Sequence, residues 1–129
     1  MFEKLDIFQM ASGLAKHATA RQEAVARNIA NADTPGYRAQ DIADFAESYD
    51  ALNSQSNLKS TRSGHMLTET DRQPGYATID APGRASPNGN TVTLETEMMK
   101  ASAVRHQHDL ALSVYKSSMN ILRMSVGRR

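Results

Sequence analysis

The chain has no cysteine. A disulfide framework and a thiolate site are therefore excluded, although that absence fits any compartment. It also lacks a charge imbalance: the formal net charge is +1 and the isoelectric point about 8.1. No broad basic field points to nucleic acid. The Arg123, Arg128 and Arg129 cluster reads as a solvated helix end that complements the helix macrodipole. No run of 18 or more apolar residues occurs, so no helix is expected to span a membrane. The opening residues Met1 to Asp6 lack a basic segment followed by an apolar one, so no cleaved signal peptide is expected. Large aliphatic side chains are scarce as well. Leu, Ile, Val and Phe number 22 of 129 residues, below the roughly 20% at which a core becomes hard to sustain. The 40% hydrophobic content leans instead on Ala and Met. A chain of this length makes one domain. Folding alone it buries a thin core, which leaves apolar surface for other chains.

Catalytic and metal chemistry find no anchor. No P-loop, GxGxxG or G-x-S-x-G motif occurs, and no HExxH or EF-hand pattern. His106 and His108 are two residues apart, which places them on different helix faces rather than on one. No metal, no cofactor and no enzymatic activity is expected. The seven methionines read as adaptable packing, with Met98, Met99, Met119 and Met124 all in the C-terminal helix.

What is present is two long helical patterns around a contrasting middle. Over residues ~5–31, Ile7, Ala11, Leu14, Ala18, Val25 and Ile29 recur at spacings of three, four or seven, interrupted at Arg21 and Gln22. The stripe is narrow and small-sided, which suits close helix packing. Residues 1–4 are expected to fray. Gly13 sits inside this helix and marks either a flexible point or a close contact. From Thr93, a plausible N-cap followed by Glu95 and Glu97, a second helix begins. Leu94, Met98, Ala101, Arg105, His108, Leu112, Tyr115, Met119, Leu122 and Val126 alternate by four and three, a heptad row broken only at Arg105 and His108. Leu110, Val114, Ile121 and Met124 form a second row in the C-terminal half. Two rows mean more than one neighbour. At ~1.5 Å per residue this helix is ~50 Å long.

Between them, residues 47–90 hold three of the four prolines and four of the seven glycines. Ile42, Phe45, Tyr49 and Leu52 predict a short helix, with an extended strap over 39–42 as the alternative. Residues 53–63 and 82–90 read as loop, and 65–70 and 76–80 as short strands. The predicted fold is mostly α: residues 1–38 give a long helix and a turn, 39–90 an irregular middle that holds short β-strands, and 91–129 a second long helix. The two helices fold back as a coiled-coil-like antiparallel pair.

The first helix ends in Asn28-Ile29-Ala30-Asn31-Ala32-Asp33-Thr34-Pro35-Gly36-Tyr37-Arg38. Thr34 precedes proline and leaves the α region. Pro35 and Gly36 suit the central positions of a type II turn, in which Gly36 takes φ > 0. Asn31 and Asp33 can bond local backbone as the helix unwinds. The whole string, with Asn88-Gly89-Asn90-Thr91-Val92 near the second helix, resembles the signature of bacterial flagellar rod, hook and related axial proteins. The resemblance covers roughly residues 5–45 and 88–122. It departs from the family pattern at Asp41-Ile42-Ala43-Asp44-Phe45, which has one extra Ala, and at Arg105-His106-Gln107-His108, where relatives often carry Tyr.

The resemblance implies a structural subunit of the proximal rod of the basal body, which assembles helically, transmits torque and lines the export channel. Such proteins leave the cell uncleaved through the flagellar export apparatus and sit in the periplasmic rod. The implied partners are other rod proteins, the rod-base adaptor, the MS ring, the export gate and further copies of itself. The matching motif positions are Asn28, Ile29, Asn31, Thr34, Pro35, Gly36 and Tyr37. The assembly interface is expected at Ile7, Leu14, Val25, Leu94, Met98, Leu110, Leu112, Tyr115, Met119, Ile121, Leu122 and Val126. Another short rod protein, or a cytoplasmic helical adaptor pairing through its C-terminal helix, is the alternative; the adaptor leaves the Asn28 to Arg38 string unexplained.

Overall fold

The computed structural model describes residues 2–49, 76–81 and 83–127. Helix α1 runs Phe2–Ala30, strands β1 (Gln40–Ile42) and β2 (Thr78–Asp80) follow, and helix α2 runs Leu94–Val126. The helices pack antiparallel. Phe8 meets Tyr115 edge-on with ring centroids 5.3 Å apart, and at the other end Asn28 meets Glu97. The helix begins at Phe2 rather than near residue 5. The expected loop at 53–63 and strand at 65–70 lie outside the described residues.

Of the strap laid on a neighbour that is the alternative for 39–42, the extended backbone is found as β1, paired within the chain, and the predicted strand at 76–80 contains β2. They pair antiparallel with Asp41 opposite Ile79. Ile42 belongs to the strand, not to the helix predicted from it; a helical turn spans 45–49. Asp41 bonding its neighbour's backbone N–H is the kind of local contact that competes with helix formation. Residues 83–93 run as loop with a turn at 87–89. Gly83 passes so close to the Thr91 carbonyl that a Cβ there would overlap it.

The core is thin and small-sided. Its apolar members are Ala11, Ala18, Ala24, Val25, Ala39, Ile42, Val92, Val104 and Ala111. On α1 the spacing of Ala11, Ala18 and Val25 is the predicted stripe. On α2 the face turned to α1 is a third row, centred on Glu97, Val104 and Ala111, between the two rows that apolar periodicity picks out. The predicted rows stay largely open: Leu112 is 39% exposed, Ile121 52% and Val126 79%. A groove of about 600 Å³ runs along one side of the pair, lined in part by Ala101, Arg105 and His108. The two polar interruptions of the heptad row therefore border this groove, and neither is buried.

Gly13 resolves as a close contact. The Phe45 ring lies over it, 3.6 Å from where a Cβ would stand, and the Tyr76 hydroxyl donates to its carbonyl at 3.0 Å. His17, 1% exposed, completes this satellite cluster: its ring meets Phe45 and Tyr76 edge-on, and its Nε2 lies 2.7 Å from the Ala43 carbonyl.

Candidate functional site: the turn, the clasp and the buried charge cluster

The signature string ends α1 by tightening and then turning. Asn31 N–H reaches both the Arg27 and Asn28 carbonyls, and Ala32 N–H reaches Ile29. The Asn31 side chain also donates to the Arg27 carbonyl at 2.8 Å, a second bond to the carbonyl that its own N–H reaches. Thr34 Oγ1 donates to Asn31 Oδ1 at 3.2 Å. Tyr37 N–H closes the turn onto the Thr34 carbonyl at 3.3 Å, and Gly36 has φ +71°, the sign a type II turn demands at that position. Asp33, Thr34, Pro35 and Gly36 are exposed; Ile29, Asn31 and Tyr37 are half-buried.

Asn28 is wholly buried and uses all of its hydrogen-bonding capacity. Its Nδ2 donates to the Gln40 carbonyl at 2.7 Å and to Glu97 Oε2 at 3.0 Å. Its Oδ1 accepts from the Gln40 N–H at 3.0 Å and the Tyr37 hydroxyl at 3.2 Å. Flanking β1, Ala39 and Ala43 bond across to the β2 side. The outer N–H and carbonyl of Gln40 are therefore unpaired in the sheet, and the Asn28 amide pairs both, as a neighbouring strand would.

A second asparagine holds the turn from the other side. Asn90, 2% exposed, directs its Nδ2 at the carbonyls of Asn31, Ala32 and Thr34 at 2.7–3.0 Å, while its Oδ1 accepts from Val92 N–H at 2.7 Å. The backbone reinforces it: Gly36 N–H donates to the Asn88 carbonyl at 3.0 Å, Thr91 N–H to the Tyr37 carbonyl at 3.1 Å, and Ala39 N–H to Thr91 Oγ1 at 2.9 Å. Residues 88–92 thus clasp the turn and deliver the chain into α2. Thr93 occupies the N-cap, as expected, with extended dihedrals, and its side chain makes no capping bond. Residues 88–92, noticed in the sequence only as part of a pattern, have this physical task.

Beneath the turn lies a cluster of four charges. Arg21 grips Asp41 with both Nε (2.8 Å to Oδ1) and Nη2 (3.2 Å to Oδ2). Lys100 Nζ bridges Asp41 Oδ2 at 3.3 Å and Glu97 Oε1 at 2.9 Å. Burial pushes the Asp41 carboxyl up, but the Arg21 hydrogen bond, the Ile42 N–H and the charges of Arg21 and Lys100 outweigh it, leaving it below the usual carboxylate range. The Arg21 hydrogen bond to Asp41 raises the guanidinium against the lowering effect of burial. Burial likewise lowers Lys100, and Glu97 and Asp41 together more than offset it. In the sequence Arg21 is only an interruption of the apolar stripe and Glu97 only a helix-end acid. The signal that could have found them is a charged residue at a seam position, with an opposite charge on each element that reaches it.

The other expected interface residues divide by exposure. Ile7, Leu94, Met98, Leu110, Leu112, Tyr115, Ile121 and Val126 are exposed, and Leu14, Met119 and Leu122 are half-buried. Val25 is a correction. It is 0% exposed, enclosed within the chain's own helix pair, and has no surface to offer a neighbour.

A family model described as flagella basal body rod protein matches residues 10–38, the stretch that holds the second half of α1 and the turn. Over nearly its full length the chain is 34% identical to the flagellar basal body rod protein FlgB of Agrobacterium fabrum, covering 98% of this chain and 96% of the relative. It is 33% identical to FlgB of Escherichia coli and 37% identical to FlgB of Proteus mirabilis, in each case over 79% of this chain and 82% of the relative. The alignments thus reach well beyond the turn, and with them the chain belongs to the FlgB family of flagellar basal body rod proteins.

Proposed function

We propose that this chain is a structural subunit of the proximal rod, exported uncleaved and assembled helically through its two long helices into a torque-transmitting tube around the export channel. Its function is to be a wall element, not a catalyst. The observation that carries this reading is the pair of apolar rows left open on α2. Met98, Leu112 and Val126 lie on one side of the intramolecular face, and Leu110, Val114 and Ile121 on the other. One partner helix covers one side. Heterologous contacts on both sides that do not close into a ring generate a helical array. The signature turn, exposed at Asp33 to Gly36 and braced from beneath, suits a contact point between layers of such an array. The rod-base adaptor, MS ring, export gate and other rod proteins are the partners this position implies, and the periplasmic rod the place.

The test places one charge on each open row. Leu112→Asp and Ile121→Asp sit at exposed positions, so each isolated chain should keep the helicity of the parent. Burying an unpaired charge against a neighbour is costly, so each strain should lose rod assembly and motility while the protein is still exported. A motile Ile121→Asp strain refutes the multi-neighbour tube. The described residues contain no helix long and apolar enough to cross a membrane.

A further inference from the structure

Helix α2 turns an unexpected side toward α1. The inward row is Glu97, Val104, Ala111 and Ser118, flanked by Lys100 and Gln107. Rotating the helix by ~100°, the angle of one residue, would bring Met98, Arg105, Leu112 and Met119 inward instead, three of them larger and more apolar than the residues they replace. Hydrophobic burial is non-directional and grows with apolar area, so it favours that rotation. The native facing is therefore not chosen by apolar area alone. The groups that make the native facing specific are polar: Glu97 Oε2 accepts from Asn28 at 3.0 Å, and Lys100 joins Glu97 to Asp41 at 2.9 and 3.3 Å. A rotation of that size breaks the two contacts that leave the helix, Glu97 to Asn28 and Lys100 to Asp41, and leaves Asp41, 7% exposed, without its second cation.

We infer that the Glu97–Lys100–Asp41–Asn28 contacts act as a rotational lock, holding α2 with a mixed polar and small-sided row inward and keeping most of its two apolar rows facing out. Buried ionic groups contribute little net stability against apolar replacements, and fixing one arrangement among several is their best-attested use. Here the arrangement fixed is one that apolar packing alone would abandon. The lock prevents the chain from consuming its own outward rows. This holds whatever later covers them, so it stands apart from the rod reading.

The chain has no cysteine, so single thiols report the facing directly. In the otherwise native full-length chain, Val104→Cys should react with a water-soluble maleimide at least about a hundredfold more slowly than Leu112→Cys, because Val104 is 1% exposed and Leu112 39%. Adding Glu97→Ala and Lys100→Ala to each should bring that ratio within about tenfold or invert it. A rescue then separates facing from mere stability. Met98→Gln, Leu112→Gln and Met119→Gln remove the reason to rotate, and in the Glu97→Ala/Lys100→Ala background they should restore the protection of the thiol at 104. An unlocked chain that stays helical with the parental ratio overturns the inference. So does an unlocked chain that unfolds and is not rescued, since then the contacts serve stability alone.

Discussion

Asn28→Ala is the sharpest probe of the junction. The side chain removed is fully buried and makes four hydrogen bonds. Two of its partners, the N–H and carbonyl of Gln40, face away from β2 and depend on it. Each buried group left unsatisfied costs ~1–3 kcal/mol. Tyr37 is half-buried and regains water, and Glu97 keeps Lys100, so these add less. The sum is ~3–6 kcal/mol, a large share of the ~5–15 kcal/mol that holds an ordinary domain together. Asn28→Asp keeps the shape but turns an oxygen toward the Gln40 carbonyl and the Glu97 carboxylate. It should therefore lose about as much as Asn28→Ala despite being nearly isosteric. Urea unfolding followed by far-ultraviolet circular dichroism measures both. A shift below ~0.5 kcal/mol for Asn28→Ala, or an Asn28→Asp chain as stable as the parent at pH 7, would show that the amide does not carry the strap.

Three further outcomes follow from the same geometry. The Asp41 carboxyl is held below the usual range, so its contribution to stability is complete above the unfolded value of ~3.9 and is lost as pH falls through the lower folded value; Asp41→Asn should flatten urea stability across that window. Gly36→Val places a β-branched residue at φ +71° with open space around it, so the penalty is backbone strain of ~1–3 kcal/mol; a strain carrying it should swim poorly, and normal swimming would show the turn to be dispensable. Gly13→Ala adds a methyl in ordinary contact with the Phe45 ring within a regular helix, and should raise stability by up to ~1 kcal/mol in the same urea assay, unless the helix there must bend.

The two long helices, the turn and its glycine were legible in the sequence because each is a local matter. Periodicity of three and four, a proline that bars the residue before it from helix, and a glycine free to take positive φ all act within a few residues. The extent of α2 and the sign of φ at Gly36 follow from those terms. What tertiary structure decided is which side of α2 faces inward, and with it the fate of individual residues. Apolar periodicity ranks rows by greasiness, and on that ranking Glu97 belongs outside. It is inside because Asn28, 69 residues away in the chain, meets it there. Val25 moved from expected interface to core because the folded chain itself leaves it 0% exposed. Arg21, read as a break in the stripe, is half of an ion pair whose other half arrives on β1. Such pairings depend on distances between segments, and no window of sequence contains both partners.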